Sequence, residues 1–230
     1  MDGEGTSLWK FAGIKSAPTE MYYIGDIGIC NEKAVAVIGR RDPDERIYRV
    51  AVEYGRSLAE QGYVVVNGLA LGCDTGAICG ALEVRGKVIA VLPCGLDEIY
   101  PKTNEGLARE IVDSGGCLIS EYAKGVRPEK YMFVQRDRIQ ALLADKVLVV
   151  DAKMDSGTMK TVDYALKYGK PVACHEDARF DVSGGMPFLV EMGRARGISD
   201  MVGLMAFLQL PVFRQMSLFD IDGDGRSGDG

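Results

Sequence analysis

The alternation of short apolar runs with amphipathic segments between residues 34 and 174 constrains the fold of this chain more than any other feature. The first run, Ala34–Ile38, is wholly apolar and rich in β-branched residues, and it ends at Gly39. This pattern is typical of a parallel strand that is buried on both faces and enters a tight turn. The next segment, Asp44–Gln61, carries apolar residues at helical spacing and closes at Gly62. Repetition of such units predicts an α/β fold with a doubly wound, mostly parallel sheet.

The same pattern recurs along the chain and predicts about six strands in all. The further strands are predicted at Tyr63–Asn67, Lys87–Leu92, Cys117–Ser120, Lys146–Val150 and Pro171–Cys174. The further helices are predicted at Asp74–Arg85, Asn104–Ser114, Tyr131–Leu143 and Gly157–Tyr168. In the segment Gly184–Leu208 we expect one or two short closing helices, with Ser199 as the N-cap residue of Met201–Leu208.

The length of the chain predicts a single domain, because 230 residues suffice for one full α/β domain and not for two large ones. We expect an N-terminal extension over residues 1–21 and the domain itself over residues 22–210. Residues 211–230 are predicted to form a flexible tail, since the end of the chain is rich in Gly, Asp and Ser and lacks an apolar period.

Cysteine and histidine usage argues against a metal site, a cofactor or a catalytic triad. The six cysteines are scattered without a CxxC pair, and they are interpreted as small core residues in a reducing cytosol. His175 is the only histidine, which leaves almost nothing from which to build a metal site or a Ser/His/Asp triad. We therefore predict no metal, no cofactor and no catalytic residues.

The N-terminus and the net charge limit where the protein acts and what it binds. No run of about 18 uncharged apolar residues occurs, and Met1–Ala12 has neither a basic start nor a continuous apolar stretch. The chain is thus predicted to be cytoplasmic, neither exported nor membrane-bound. A net charge of −6 argues against coating of duplex DNA by bulk electrostatics, although a local basic groove is compatible with it.

Glycine or a small hydroxyl residue follows several of the predicted strands. In an open parallel sheet, ligands bind beyond the carboxyl ends of the strands, where helix N-termini offer free N–H groups. Small residues let these amides approach a phosphate, and arginines add charged donors. A phosphate pocket is therefore predicted from Gly39, Arg40, Arg41, Gly68, Gly72, Ser156, Gly157 and Thr158. Taken alone, each loop is typical of a plain tight turn, and it is their convergence at one edge that favours a pocket. The chain has neither a GxGxxG after its first strand nor a GxxxxGK[ST].

A second candidate element is the segment Phe133–Ile139, which combines two arginines with an aromatic residue. Arg136 and Arg138 are expected at the start of a helix beside Phe133. This mixture suits a nucleic-acid backbone with a stacked base. The alternative is a solvated helix face with Phe133 in the core.

In chain order, these segments resemble the Rossmann-like core of the DprA/Smf DNA-processing family. The resemblance is carried by VAVIGRR (Val35–Arg41), NGLALGCDTGA (Asn67–Ala77), GLDEIYPKTN (Gly95–Asn104), SEY (Ser120–Tyr122), FVQRDRI (Phe133–Ile139) and SGTMKTVDYALKYGKPV (Ser156–Val172). It implies a non-catalytic protein that binds single-stranded DNA in DNA processing, recombination or uptake. It also implies a homodimer that helps to load a RecA-type recombinase. The implied DNA-binding residues are Arg40, Arg41, Arg136 and Arg138, with the Gly68/Gly72 and Ser156–Thr158 loops.

Three residues depart from the pattern of the family. Leu71 stands where the family has a basic residue, Ile78 replaces its usual histidine, and Asp137 interrupts its Arg-Asn-Arg motif. Each change removes a polar group that would face DNA or adds an acid. The resemblance therefore implies a lower affinity or a different ligand. The family's common N-terminal helical and C-terminal winged-helix modules are not expected in this chain.

Two alternatives to DNA binding follow from the same residues. The core is also similar to that of the LOG-type nucleotide phosphoribohydrolases, whose pocket carries PGGxGTxxE. The matching segment here, Asp155–Thr161, lacks the second glycine and the glutamate, and Glu121 is the nearby carboxylate that we can name for glycosidic cleavage. A nucleotide-sensing module without catalysis is the other alternative.

Near the C-terminus, Gln215-Met216-Ser217-Leu218-Phe219 looks like the pentapeptide Gln-Leu-Ser/Asp-Leu-Phe, with which bacterial replication and repair proteins bind the polymerase sliding clamp. Leu218 and Phe219 would fill an apolar pocket, and Gln215 would hydrogen-bond at its rim, with Met216 in place of the usual leucine. The alternative is that Val212, Met216 and Phe219 pack back on the domain as a last amphipathic turn.

Overall fold

A computed structural model of the chain describes residues 9–11, 14–177 and 184–212, in which one eight-stranded sheet is covered by helices. The strands are β1 (Tyr22–Gly25), β2 (Ala34–Gly39), β3 (Val64–Asn67), β4 (Val88–Val91), β5 (Cys117–Ser120), β6 (Lys146–Asp151), β7 (Val172–His175) and β8 (Arg196–Ile198). The helices are α1 (Glu45–Glu60), α2 (Cys73–Glu83), α3 (Glu105–Asp113), α4 (Lys130–Leu143), α5 (Gly157–Lys167), α6 (Gly185–Glu191) and α7 (Met201–Leu208). Within these described ranges, no helix has both the length and the apolar character needed to cross a bilayer.

The order of the strands in the sheet is β1-β5-β4-β3-β2-β6-β7-β8. Every neighbouring pair from β5 to β8 is parallel, and β1 runs antiparallel to β5. From β2 the chain winds outward to β5 and then returns to β6 on the other side of β2. The winding direction therefore reverses between β2 and β6, where Gly39 is paired with Asp151. In doubly wound sheets, a crevice for ligands opens at this reversal.

Both faces of the sheet are buried, which explains why its interior strands are continuously apolar. Successive residues of β2 alternate between two cores, with Ala36 in one and Val37 in the other. Helices α4, α5 and α6 cover the first core, whereas α1, α2, α3 and α7 cover the second. The prediction of a doubly wound, mostly parallel α/β sheet is therefore confirmed.

The six interior strands lie where the sequence predicted them, and the two edge strands were not predicted. β1 is only half-buried, and β8 has three residues, of which Arg196 is exposed. Before β1, the side chain of Lys10 is buried, and its Nζ donates to the carbonyl oxygens of Leu143 (2.8 Å) and Glu32 (2.6 Å). Part of the segment that precedes β1 is thereby joined to the end of α4.

The N-cap of α7 differs from the predicted Ser199, which was wrong by one residue. Asp200 is the cap, because its Oδ1 accepts a hydrogen bond from the backbone N–H of Gly203 at 2.7 Å. We expect Asp200→Ala to lower the free energy of unfolding by about 1 kcal/mol, as is usual for the loss of an N-cap acceptor. Ser199→Ala is the matched control and should leave it unchanged. Urea unfolding of both variants would measure this, and equal losses would contradict the assignment.

Candidate nucleic-acid interface

The carboxyl ends of β2 and β6 open into a cavity of about 350 Å³, which we call the edge pocket. Four parts of the chain line it: Ile38, Gly39, Arg40 and Arg41 at and after the end of β2; Ala70 in the loop after β3 and Asp74 in the first turn of α2; Arg136, Asp137 and Gln140 on α4; and Gly157, Thr158 and Thr161 on α5. The pocket thus lies at the reversal point of the sheet and brings together six of the predicted site residues: Gly39, Arg40, Arg41, Arg136, Gly157 and Thr158.

The start of α5 forms one wall of the edge pocket, and its backbone N–H groups are suited to binding a phosphate. Its first turn supplies backbone N–H groups that have no acceptor within the helix, together with the positive end of the helix dipole. The predicted hydroxyl donors are already engaged, since Thr158 Oγ1 donates to the carbonyl of Gly39 (3.2 Å) and Ser156 Oγ to that of Lys153 (2.7 Å). The backbone of this wall, more than its hydroxyls, is therefore the feature suited to a phosphate.

Arg40 and Arg41 follow β2 but differ in how much of their charge is free. Arg40 forms ion pairs with Asp42 (Nε to Oδ1, 3.1 Å) and with Asp151 (Nη1 to Oδ2, 3.4 Å). Arg41 is exposed, and its guanidinium carbon lies 5.4 Å from the centre of the Phe133 ring, in a cation–π contact. Arg41 is therefore the better placed of the two to meet an incoming anion.

Arg136 lies in the middle of α4 and is only 4% exposed, so its predicted place at a helix start was wrong, as was the alternative of a solvated face. Its Nη1 donates to the carbonyl of Val91 at 3.3 Å, and an added Cβ at Gly68 would overlap its guanidinium. Its Nε lies 3.2 Å from Asp137 Oδ1 but forms no aligned hydrogen bond. The guanidinium is therefore held in place at the wall of the pocket, and its Nε–H group has no hydrogen-bond acceptor among the residues that the structure describes.

Four predicted site residues are not among those that line the edge pocket: Gly68, which lines a smaller neighbouring cavity, and Gly72, Arg138 and Ser156. Arg138 is 9% exposed and donates from Nη2 to Glu121 Oε2 at 2.5 Å, so the charges of these two side chains are paired with each other. Glu121, the carboxylate suggested for glycosidic cleavage, is thereby occupied. Gly72 precedes α2 with a φ of 76°, a left-handed conformation that favours glycine, and Ser156 precedes α5. Gly72 and Ser156 therefore shape the loops that lead into α2 and α5.

The carboxylates of the pocket are Asp74 and Asp137, and sequence reasoning had not placed Asp74 there. Asp74 Oδ2 accepts hydrogen bonds from the backbone N–H groups of Gly68 (2.9 Å) and Ala70 (3.2 Å). Burial raises the pKa of the Asp74 carboxyl. Burial likewise raises the pKa of Asp137 to about 6, with Arg136 acting in the opposite direction. Two acids with raised pKa values in one cleft are unusual for a purely structural surface.

Buried amides hold the loop between β3 and α2. Asn67 Oδ1 accepts from the backbone N–H of Leu69 (3.1 Å), whose φ of 57° is left-handed, and Asn67 Nδ2 donates to the carbonyl of Asp74 (3.0 Å). Asn104 Nδ2 donates to the carbonyl of Leu69 at 2.9 Å. Asn67 at the end of an apolar strand, and Asp74 in an apolar helix, were the sequence signals that could have revealed this loop.

A smaller cavity of about 70 Å³, which we call the aromatic groove, adjoins the edge pocket. It is lined by Arg41, Gly68, Ala70, Leu71, Tyr100, Pro101, Phe133 and Arg136, so the two cavities share both arginines. The rings of Tyr100 and Phe133 meet edge to face at 5.4 Å, and Tyr100 and Leu71 are exposed. Exposed aromatic faces beside a phosphate site suit the stacking of nucleobases.

The predicted clamp-binding residues lie outside the described part of the chain. They are Gln215, Met216, Leu218 and Phe219. The alternative, in which Met216 and Phe219 pack back on the domain, also falls there.

Comparison with known proteins agrees with the geometry. The family model of DNA recombination-mediator protein A matches residues 8–209. The DNA processing protein DprA of Streptococcus pneumoniae is 35% identical over 186 residues, which are 80% of this chain and 65% of that protein. Protein Smf of Synechocystis is 36% identical over 169 residues, 72% of this chain and 42% of that protein.

Among solved structures, DNA processing protein A from Helicobacter pylori, which is described for its single-stranded DNA binding mode, superimposes with a TM-score of 0.83. It is 33% identical, and the match covers 90% of this chain and 95% of that one. The present chain nevertheless spans less than two thirds of the length of the two curated relatives, at 65% and 42%.

Proposed function

Because this chain belongs to the DNA recombination-mediator protein A family, we propose that it binds single-stranded DNA across the edge pocket and the aromatic groove. Its role is in DNA processing, recombination or uptake, and it performs no catalytic step. The observation that carries the proposal is that Arg41 and Arg136 line both cavities, so that one pair of cations serves a phosphate site and a stacking site.

The arrangement separates the two tasks of a single-strand binder. The start of α5 and the two arginines attract a phosphate group of the strand. The exposed Tyr100, which packs on Phe133, offers an aromatic ring to a neighbouring base, and this requires no particular sequence because every base has a stacking face. Binding through one cleft that carries Arg41 and Arg136 is compatible with an overall charge of −6, since the acidic surplus need not face the DNA.

A free nucleotide is the second candidate ligand, because a cavity of about 350 Å³ lies in the range of small-molecule sites. Hydrolysis of a nucleotide is disfavoured at Asp74 and Glu121, whose carboxylates already have partners, which leaves Asp137 as the carboxylate of the pocket that release of a base would implicate. Asp74 already accepts two backbone N–H groups, and Glu121 is paired with Arg138. A general acid or base needs a carboxylate within reach of the substrate and free to exchange a proton.

Titration of the purified protein with oligothymidylate, AMP and ADP-ribose, with release of the base monitored, separates the three possibilities. We expect binding of oligothymidylate that weakens steeply with salt, and no released base. Tight binding of AMP or ADP-ribose without binding of oligothymidylate would favour nucleotide sensing. Release of adenine, or of ribose 5-phosphate, would show a hydrolase.

Two protein partners follow from the family and belong to the proposal. A RecA-type recombinase is one, and a second copy of this chain is the other. Helix α7 supports self-association, because Met201 is exposed and Val202 is 77% exposed beside the edge strand β8. Light scattering at several concentrations would detect the dimer, and Val202→Glu should weaken it.

The sliding clamp is a further proposed partner, and its prediction rests on sequence. We expect a peptide that spans Pro211–Gly223 to bind a bacterial clamp with micromolar affinity, as is usual for a short segment that orders on binding. Leu218→Ala with Phe219→Ala should abolish this binding, measured by fluorescence anisotropy, and the same peptide in scrambled order is the control. Absence of binding by both peptide and whole protein at high micromolar concentration would remove the clamp as a partner.

A further inference from the structure

The charges around the edge pocket are nearly balanced, which is unexpected for a phosphate site. Its lining includes Arg40, Arg41 and Arg136, but the charge of Arg40 is already met by Asp42 and Asp151. Arg41 and Arg136 then face the two carboxylates of the pocket, Asp74 and Asp137. Whether the pocket attracts or repels an anion therefore depends on a single charge.

Asp137 is the residue whose ionisation determines this charge. Asp74 Oδ2 accepts hydrogen bonds from two backbone N–H groups of its own loop, whereas Asp137 has no such partner among the described backbone groups. In the orientation that satisfies both of its polar atoms, the Gln140 amide accepts a hydrogen bond from the backbone N–H of Gly68 through its oxygen (2.9 Å). The Gln140 nitrogen then donates to Asp137 Oδ1 at 3.1 Å. Asp137 Oδ2 remains on the side of α5, 3.9 Å from where a Cβ of Gly157 would lie.

Charged groups from each neighbouring element act on Asp137. Arg136 approaches from α4, Asp74 from the start of α2, and Arg41 from the end of β2. The two arginines favour the ionised carboxylate, whereas Asp74 and burial favour the neutral acid. The residue of α5 that faces Asp137 is Gly157, which carries no charge.

We propose that Asp137 limits the charge that the edge pocket accepts, because its carboxylate removes one unit of the positive charge through which the pocket would favour the doubly charged phosphate of a free nucleotide over the singly charged phosphodiester of a DNA strand. The inference rests on the proposed function and names the ligand class within it. The ionised carboxylate repels a dianion twice as strongly as a monoanion, and Arg41 and Arg136 attract the dianion twice as strongly, so the carboxylate cancels part of the advantage that the arginines give to the dianion. At roughly 7 Å, the width of such a cavity, and an effective dielectric constant of roughly 30, one unit of repulsion changes a dissociation constant about tenfold.

The same carboxylate makes binding sensitive to pH. Its raised pKa of about 6 means that it is ionised at pH 7.5 and largely neutral at pH 5.0. A phosphodiester keeps its single charge over this interval. Affinity for a DNA strand should therefore rise as the pH falls, because protonation removes the repulsion and adds an O–H donor.

The test compares the wild type with Asp137→Asn, which keeps the shape of the side chain and removes its charge. Asp113→Asn is the matched control, because Asp113 is exposed at the end of α3, next to the amino end of β5 and so at the opposite edge of the sheet. Both substitutions change the net charge equally. Thermal melting at pH 7.5 first establishes that all three proteins are folded.

At pH 7.5 we expect Asp137→Asn to bind oligothymidylate about tenfold more tightly than the wild type, and dTMP about a hundredfold more tightly. The phosphate of dTMP is mostly doubly charged at this pH, since its second pKa is about 6. Between pH 7.5 and 5.0 the affinity of the wild type for oligothymidylate should rise about tenfold more than that of Asp137→Asn. Asp74 is present in both proteins, so its own titration cancels in this comparison.

Equal gains for the two ligands, or wild-type affinity in Asp137→Asn, would overturn the inference, as would parallel pH profiles. If Asp137→Asn were unstable, Asp137→Ala, which also removes the charge and leaves Asp74 in place, takes its place in both comparisons. If neither protein binds oligothymidylate between pH 5.0 and 8.0, the proposed function is the part that fails. A gain of about a hundredfold for dTMP alone would then still support the control of charge by Asp137.

Discussion

Replacing both Arg41 and Arg136 by alanine is expected to weaken the binding of single-stranded DNA by at least about tenfold, and to flatten its salt dependence by about one unit for each lost phosphate contact. The reason is that these two side chains line both the edge pocket and the aromatic groove. Fluorescence anisotropy with labelled oligothymidylate, measured over a series of salt concentrations, gives both quantities.

The control for this double variant is Arg49→Ala with Arg109→Ala. Both control residues are exposed and paired with glutamates on their own helices, and they change the net charge by the same amount. If the pocket variant and the control lost affinity equally, the effect would be one of overall charge, and the cleft would be the wrong surface.

The double variant is also expected to be less stable than the wild type, because Arg136 is buried and donates to the carbonyl of Val91. Its removal is expected to lower the free energy of unfolding by about 1 to 3 kcal/mol. Gly68→Ala is a complementary variant, since the added Cβ displaces the Arg136 guanidinium from the Val91 carbonyl without removing its charge. Gly106→Ala is its control, because an added Cβ there meets nothing within 4 Å. Weakened binding in Gly68→Ala but not in Gly106→Ala would assign the effect to the position of Arg136.

The interior of the sheet could be predicted from the sequence because each interior strand is buried on both faces. A strand such as β6 must then be apolar at every position between its charged ends, and such a run is easy to see. An edge strand has a neighbour on one side only, so β1 and β8 carry half-buried or exposed residues that resemble a loop. The N-cap of α7 was misplaced by one residue because Ser199 and Asp200 are both good caps, and only the hydrogen bond to Gly203 distinguishes them.

The edge pocket could be predicted where its residues end a strand or follow it closely, as Gly39 and Arg41 do, because the carboxyl ends of parallel strands meet at one edge. The sequence alone could not separate Arg136 from Arg138. Two residues apart on a helix, their side chains point in different directions, and only the contacts of α4 decide which of them faces the pocket. Asp74 was missed for a similar reason, because its role depends on loop contacts that include Asn104, far away in the chain.

Asp74→Ala is expected to lower the free energy of unfolding by about 3 kcal/mol, the largest effect on stability that we predict. Asp74 Oδ2 accepts from the backbone N–H groups of Gly68 and Ala70, and these bonds hold Leu69 in its left-handed conformation. Without the carboxylate, the half-buried N–H of Ala70 loses its acceptor, whereas Gln140 can still accept from Gly68. Urea unfolding at pH 7 measures the loss, with Asp113→Ala as an exposed control.

Asp74→Asn separates the hydrogen bonds of Asp74 from its charge. The asparagine oxygen can still accept from the loop, so the expected loss at pH 7 is only about 1 kcal/mol. Because burial raises the pKa of Asp74 in the folded state above its unfolded value of about 3.9, the folded protein binds this proton more tightly. Wild-type stability should therefore fall relative to Asp74→Asn as the pH rises above about 4, with the titration of Asp137 common to both proteins. Equal losses in Asp74→Ala and Asp74→Asn, with parallel pH profiles, would show that neither the acceptor nor the charge of Asp74 holds the loop that forms this side of the pocket.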